Sequence, residues 1–301
     1  MKIALAAMPR PVLAEPCVVA QSGSGDWHDL GRLLDEIGVA GRPANGGLTD
    51  ALAFLGTLGA SGRRKLERAL NEHKDGIAGP ALLKPIDPLS KILLTEGRVA
   101  LSRSNDQLPA KMVVGFSKFA TALADPGARI QLPDPQAQYD VEAALAVVLG
   151  KPASRVSARD AGGAVIGFTL MAEVTDRTMF DREWRTSNSL FAKNRLGLSP
   201  LGPAIWIAGL GELDPATEIT LSVNGARRQA FTIADFAHSI AQATKAWSRA
   251  VLEPGDIVAL GAAIARPRPG NDVDSPIPVA AGDRIEIDCA PIGVLSAQFV
   301  A

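Results

Sequence analysis

The chain has 301 residues, with 31 Lys and Arg against 32 Asp and Glu and a formal charge of −1. Hydrophobic residues make up 47% and charged residues 21%, which is globular usage and excludes a disordered or collagen-like chain. The absence of a basic excess argues against nucleic acid as a partner, and two cysteines, Cys17 and Cys289, supply neither a disulfide framework nor a CxxC metal pair.

Lys2–Met8 reads as a strand. Its apolar run is shorter than the ~7–15 residues of a signal-peptide core. No run in the chain approaches the ~18–20 residues of a membrane helix. The expectation is a cytoplasmic protein with no membrane partner. Asp29–Ile37, Leu48–Leu58 and Gly62–His73 carry apolar residues at helical spacing, so residues 1–82 form a small α/β unit. The charge run Arg63, Arg64, Lys65, Arg68 reads as a solvated helix face. Gly79–Pro88 (GPALLKPIDP) punctuates the chain, and residues 83–301 are β-rich. Strands are predicted at Val141–Leu149, Val165–Val174, Ala204–Ala208, Glu218–Val223, Ile257–Leu260, Ile285–Asp288 and Gly293–Val300. Asn224-Gly225 marks a two-residue hairpin. Thr232 and Asp235 form a capping box for one long helix, with Phe236, Ile240, Ala243, Trp247 and Val251 on its apolar face. The fold class is therefore α+β, dominated by strands. GxGxxG, P-loop, HExxH and GxSxG motifs are absent.

The three histidines, His28, His73 and His238, have no carboxylate or cysteine at ligand spacing and read as structural. The acids are more informative. Asp140 and Glu142 lie on one side of a strand, either as a solvated strand end or as a pair that a divalent cation neutralises. Glu173 follows an almost wholly apolar run, where an unpaired carboxylate is costly. It either pairs internally with Arg177 or ligates a metal beside a substrate-binding arginine. Lys193 is either a loop charge or a contact for an anionic substrate.

Eight collinear segments resemble the fumarylacetoacetate hydrolase (FAH) family: FSKFATALADPGARIQLP, YDVEAALAVVLG, GFTLMAEVTDR, AKNRLGLSPLGP, VNGARRQ, LEPGDIVALG, AGDRIEI and IGVL. They run from about Pro85 to the C-terminus. The resemblance implies a mixed β-roll catalytic domain behind a small N-terminal domain, usually as a homodimer. It also implies a Mg²⁺ or Mn²⁺ cofactor held by carboxylates, and a small 2-oxo or 1,3-dicarbonyl acid as substrate. The reactions are C–C hydrolysis, decarboxylation, tautomerisation or dehydration, in which the metal and flanking Lys and Arg stabilise enolate charge.

The match is incomplete at the site. In the family's Glu-x-Glu, Glu142 keeps the first acid and Ala144 replaces the second. Glu173 stands at the third ligand position, and Arg177 and Lys193 are kept. Phe180 replaces a glutamine, Leu196 an aspartate and Ala262 a threonine; Ser102 and Asn105 stand where a lid His-x-x-Glu pair is expected. The implied metal ligands are Glu142 and Glu173, with Asp140 supplying the missing oxygen. Lys193 and Arg177 are the catalytic and substrate-binding candidates, with Lys118 a further basic group. Loss of the lid pair makes hydrolysis less favoured than enolate chemistry that needs no activated water. The alternative is a degenerate member kept as a binding or scaffold protein.

Overall fold

A computed structural model describes residues 1–7, 16–39, 47–74, 76–77, 79–96, 113–183, 185, 189–236, 238–261 and 277–301. Ser102, Asn105 and Ala262 lie outside the described residues.

The leading unit holds β1 (Lys2–Ala7), β2 (Cys17–Gln21), β3 (Trp27–Asp29), α1 (Leu30–Glu36), α2 (Leu48–Thr57), α3 (Ala60–Glu72) and β4 (Ala81–Leu83). Asp29 caps α1 by accepting a hydrogen bond from the Arg32 backbone N–H at 3.0 Å. The rest contains β5 (Ile92–Glu96), β6 (Val114–Lys118), β7 (Leu123–Ala124), β8 (Arg129–Gln131), β9 (Tyr139–Leu149), α4 (Ala158–Ala164), β10 (Val165–Asp176), α5 (Arg177–Glu183), α6 (Leu190–Lys193) and β11 (Ser199–Ile207). Then come β12 (Glu218–Val223), β13 (Ala226–Thr232), α7 (Ile240–Trp247), β14 (Ile257–Gly261), β15 (Pro278–Val279), β16 (Arg284–Cys289) and β17 (Gly293–Val300).

Two sheets organise the described residues. The larger runs β3-β2-β1-β11-β10-β9-β14-β5-β6, and the smaller runs β13-β12-β16-β17-β8. The leading strands belong to the larger sheet, because β1 pairs antiparallel with β11.

Strand alternation sorts the core into two sides. Val141, Ala143, Leu145 and Val147 of β9, with Phe168, Leu170 and Ala172 of β10, pack toward the smaller sheet. Ala144, Ala146 and Val148, with Ile166 and Met171, pack toward α1–α3. The smaller sheet and the helices thus sandwich the long β9–β10 ladder.

The Asn224-Gly225 hairpin forms as predicted, with φ of 51° and 77°. The single long helix does not form. A short 3-10 turn at Ile233–Asp235 uses the Thr232/Asp235 box, Phe236 is extended, and a second box, Ser239 with Gln242, starts α7. Val251 ends outside the helix at φ 54° and half exposed. His28 is buried edge-on against His73, whose Nδ1 lies 3.2 Å from Glu36, far in sequence from the acids of β9 and β10.

Helix α2 meets the end of β9 through glycine. A Cβ on Gly56 would stand 2.5 Å from the Gly150 carbonyl oxygen, and a backbone atom cannot yield as a side chain can. Gly56→Ala should therefore cost about 1–3 kcal/mol by overpacking, despite alanine's better helix propensity. Urea unfolding checks this; an unchanged or raised midpoint would show that helix and strand are not so closely apposed.

Candidate active site

The ladder register decides which side chains can meet. Glu142 is the cross-strand partner of Glu173, and Asp140 of Thr175. Directly opposed residues of an antiparallel pair project to the same face. Residues two apart on one strand do likewise. Asp140, Glu142, Glu173 and Thr175 therefore extend the face that carries Ala144 and Met171 deeper in the molecule. Ala144, in place of the family's second acid, is fully buried there.

Basic groups reach this face from three elements. Lys118 ends β6, the sheet's edge strand, and is buried. Its Nζ lies 3.2 Å from Glu173 and also donates to the Lys193 carbonyl. Lys193, the last residue of α6, places its Nζ 3.2 Å from the other Glu173 oxygen and donates to Thr175 Oγ1 at 2.8 Å. The Glu183 carboxylate anchors α6 by accepting from the Phe191 and Ala192 N–H groups, each at 2.7 Å. Lys193 also sits over Phe116 at 4.8 Å and Phe180 at 5.7 Å from the ring centroids. The glutamine-to-phenylalanine change thus gives one wall of an aromatic enclosure for the ammonium.

Arg177 opens α5. Its Nε and one terminal nitrogen contact Asp140 Oδ2 at 2.6 and 2.5 Å. The internal Glu173–Arg177 ion pair considered from the sequence is therefore not the one formed: Arg177 serves Asp140, and Glu173 serves two lysines. Burial is the largest single influence on Arg177 and opposes its charge, but Asp140, Glu142 and Asp181 together hold the guanidinium above its ordinary pKa. Burial pushes the Asp140 and Glu142 carboxyls up, against the pull of Arg177 and Lys193 respectively. Burial pushes Lys118 down, with Glu173 opposing and Lys193 assisting.

The structure brings all six predicted residues to this region, five of them in direct ion pairs. Glu142 is the sixth. Among the described residues its carboxylate has neither a hydrogen-bond nor an ion-pair partner; it is half-buried and opposite Glu173. Leu196 is exposed. Sequence reasoning passed over Thr175, Phe116 and Gln229. Thr175 and Phe116 were findable, because each lies two positions along a strand from a site residue. Gln229, whose Oε1 accepts from the Ala143 N–H at 3.0 Å, gave no local signal.

The donor set has the chemistry of a hard divalent cation site. Asp140 Oδ1 and both Glu173 oxygens are buried without a hydrogen-bond partner; the lysine contacts are close but not aligned as hydrogen bonds. These oxygens match such a cation in kind and in face. The site is not preassembled, however: among the described residues, no three His, Cys, Asp or Glu side chains are grouped closely enough to hold an ion. A cation would compete with Lys118, Lys193 and Arg177 for the same carboxylates.

A profile of the fumarylacetoacetate (FAA) hydrolase C-terminal domain matches residues 94–300. The chain belongs to the fumarylacetoacetate hydrolase family. It is 32% identical over 220 residues to an uncharacterised protein of Pyrococcus abyssi, covering 72% of this chain and 92% of that one. Over 163 residues it is 32% identical to oxaloacetate tautomerase YisK of Bacillus subtilis, covering 54% of this chain and about half, 52%, of that relative. The fold matches maleylpyruvate hydrolase from Sphingobium sp. SYK-6, solved in complex with manganese(II) and pyruvate. The TM-score is 0.69 at 22% identity, covering 100% of this chain and 99% of that one.

Glu173 is the ion-pair partner of two buried ammonium groups, so replacing it with an apolar residue strands both. Glu173→Leu should destabilise the protein by about 3–5 kcal/mol, and Glu173→Gln by less. Chemical unfolding measures both; a Leu variant as stable as wild type would mean that the lysines do not depend on this acid.

Proposed function

We propose that the protein is an enzyme that acts on a small 2-oxo or 1,3-dicarbonyl acid by stabilising its enolate. The reaction is tautomerisation, decarboxylation or dehydration in preference to C–C hydrolysis. The observation that carries this reading is the convergence of Lys118, Lys193 and Arg177 on the acidic face of β9–β10. The kinship with an oxaloacetate tautomerase supports the substrate class.

In this reading Arg177, already oriented by Asp140, receives the substrate carboxylate through its planar fork of donors. Lys193 faces the developing enolate oxygen. Phe116 and Phe180 exclude water around its ammonium and so strengthen that attraction. Lys118 holds the Lys193 backbone and neutralises Glu173. Asp140, Glu142 and Glu173 would hold Mg²⁺ or Mn²⁺, which supplies Lewis-acid stabilisation of enolate charge when bound.

Phe119, Leu190, Phe191 and Leu196 are exposed beside this site; Asn194 links the first two, accepting from the Phe119 N–H at 2.6 Å and donating to the Leu190 carbonyl at 2.9 Å. An apolar cluster of this kind suits self-association, and the proposal extends to a homodimer working in the cytoplasm. Among the described residues, no helix is long and apolar enough to cross a membrane. A second reading, a scaffold that has given up catalysis, draws on the engagement of Glu173 and Asp140 by basic groups.

The ultraviolet decay of enol-oxaloacetate separates the two readings. The wild type should accelerate ketonisation, lose the activity to EDTA and regain it with Mn²⁺. Lys193→Met and Arg177→Gln should each lower kcat/KM by about 100-fold. A wild type inert on oxaloacetate and acylpyruvates, with and without Mn²⁺, would leave only the scaffold.

A further inference from the structure

Away from the acidic face, a cleft of about 690 Å³ lies where α3 of the leading unit meets α4 and the Gly209–Gly211 turn. That volume suits a small organic ligand. Two arginines, Arg63 and Arg159, line it, and among the described residues no acid does. The Arg63 Nε is buried with no hydrogen-bond partner. That nitrogen is closed off, so a ligand would meet the terminal nitrogens of the guanidinium, which no acid among the described residues pairs.

The nearby acids are committed elsewhere. Asp160 accepts from Ser157 Oγ at 2.7 Å as part of the α4 cap. Glu212 accepts from the Gly209 N–H at 2.5 Å. Glu67, on the same helix as Arg63, faces the N-terminal ammonium at 3.4 Å. The wall has room for a ligand to approach the backbone: a Cβ on Gly163 or Gly211 would meet nothing within 4 Å. The charge run that the sequence suggests is only a solvated face thus contributes one member, Arg63, to a concave surface.

We infer that this cleft binds a small oxyanion of the carboxylate or phosphate class between Arg63 and Arg159. Both anions offer the paired oxygens that a guanidinium fork recognises. The site is distinct from the Lys118–Lys193–Arg177 cluster and does not depend on the reaction assigned to it.

Isothermal titration of the full chain in Tris-chloride at constant ionic strength tests this, with inorganic phosphate in one series and succinate in the other. At least one should bind saturably, and the series that saturates identifies the source of the oxyanion. Its affinity should fall about tenfold or more in Arg159→Met and Arg63→Met, fall also in Gly163→Leu, which adds side-chain volume to the cleft lining and keeps both arginines, and persist in Arg177→Gln. Arg159 is exposed, so its variant is informative even if Arg63→Met loosens α3. Saturation by neither ion overturns the inference. So does wild-type affinity in both arginine variants, or binding lost only in Arg177→Gln, which would put the ion in the oxo-acid site.

Discussion

The register between Tyr139–Leu149 and Val165–Asp176 is the constraint from which the site follows. It sets Glu142 opposite Glu173 and Asp140 opposite Thr175. A slip of one residue would turn every side chain of one strand to the other face. The apolar parts of the same strands forbid that slip, since both faces are filled, one against the smaller sheet and one against the leading helices. The packing of the core thus holds like charges together at the ladder's end, where they would otherwise repel.

Charge balance completes the arrangement. Two carboxylates, Asp140 and Glu173, meet two lysines and an arginine, and these basic groups come from β6, α6 and α5 rather than from the ladder itself. Each basic group is fixed in turn by something nearby: Lys118 by the Lys193 carbonyl, Lys193 by Thr175 and two aromatic rings, Arg177 by Asp140. Glu142 is left outside this pairing. Where the family's pattern has a second acid, Ala144 completes a hydrocarbon surface instead, so the proposed cation site would have less negative charge to offer and its remaining acids are contested. A carboxylate shared between a metal and an ammonium gives a site whose affinity is set by competition.

Much of this was legible in the sequence, and the misses have physical causes. The long strands and the hairpin follow from alternation and turn chemistry, and the three acids from strand spacing and the cost of placing acids after apolar runs; Lys118, Arg177 and Lys193 were singled out by the family resemblance. Ion-pair partners do not follow. Arg177 lies four residues after Glu173, a spacing that suits a helix pair, but Glu173 is on a strand and Arg177 begins the helix after it. The strand runs on to Asp176, the helix starts at once with Arg177, and the guanidinium lies against Asp140 of β9. The long helix fails for a comparable reason: Ser239 and Gln242 supply a second capping box, and the chain restarts there instead of continuing from Thr232. Gln229 was invisible because its partner, the Ala143 N–H, is distant in sequence.

Hydrogen–deuterium exchange at C3 of pyruvate, followed by proton NMR in D₂O with Mn²⁺ present, tests enolate stabilisation without requiring turnover of a particular substrate. Wild type should exchange the methyl protons well above the buffer rate, and Lys193→Met should return the rate to background. Exchange at the buffer rate in wild type, or at the wild-type rate in Lys193→Met, would contradict the role given to the cluster around Glu173.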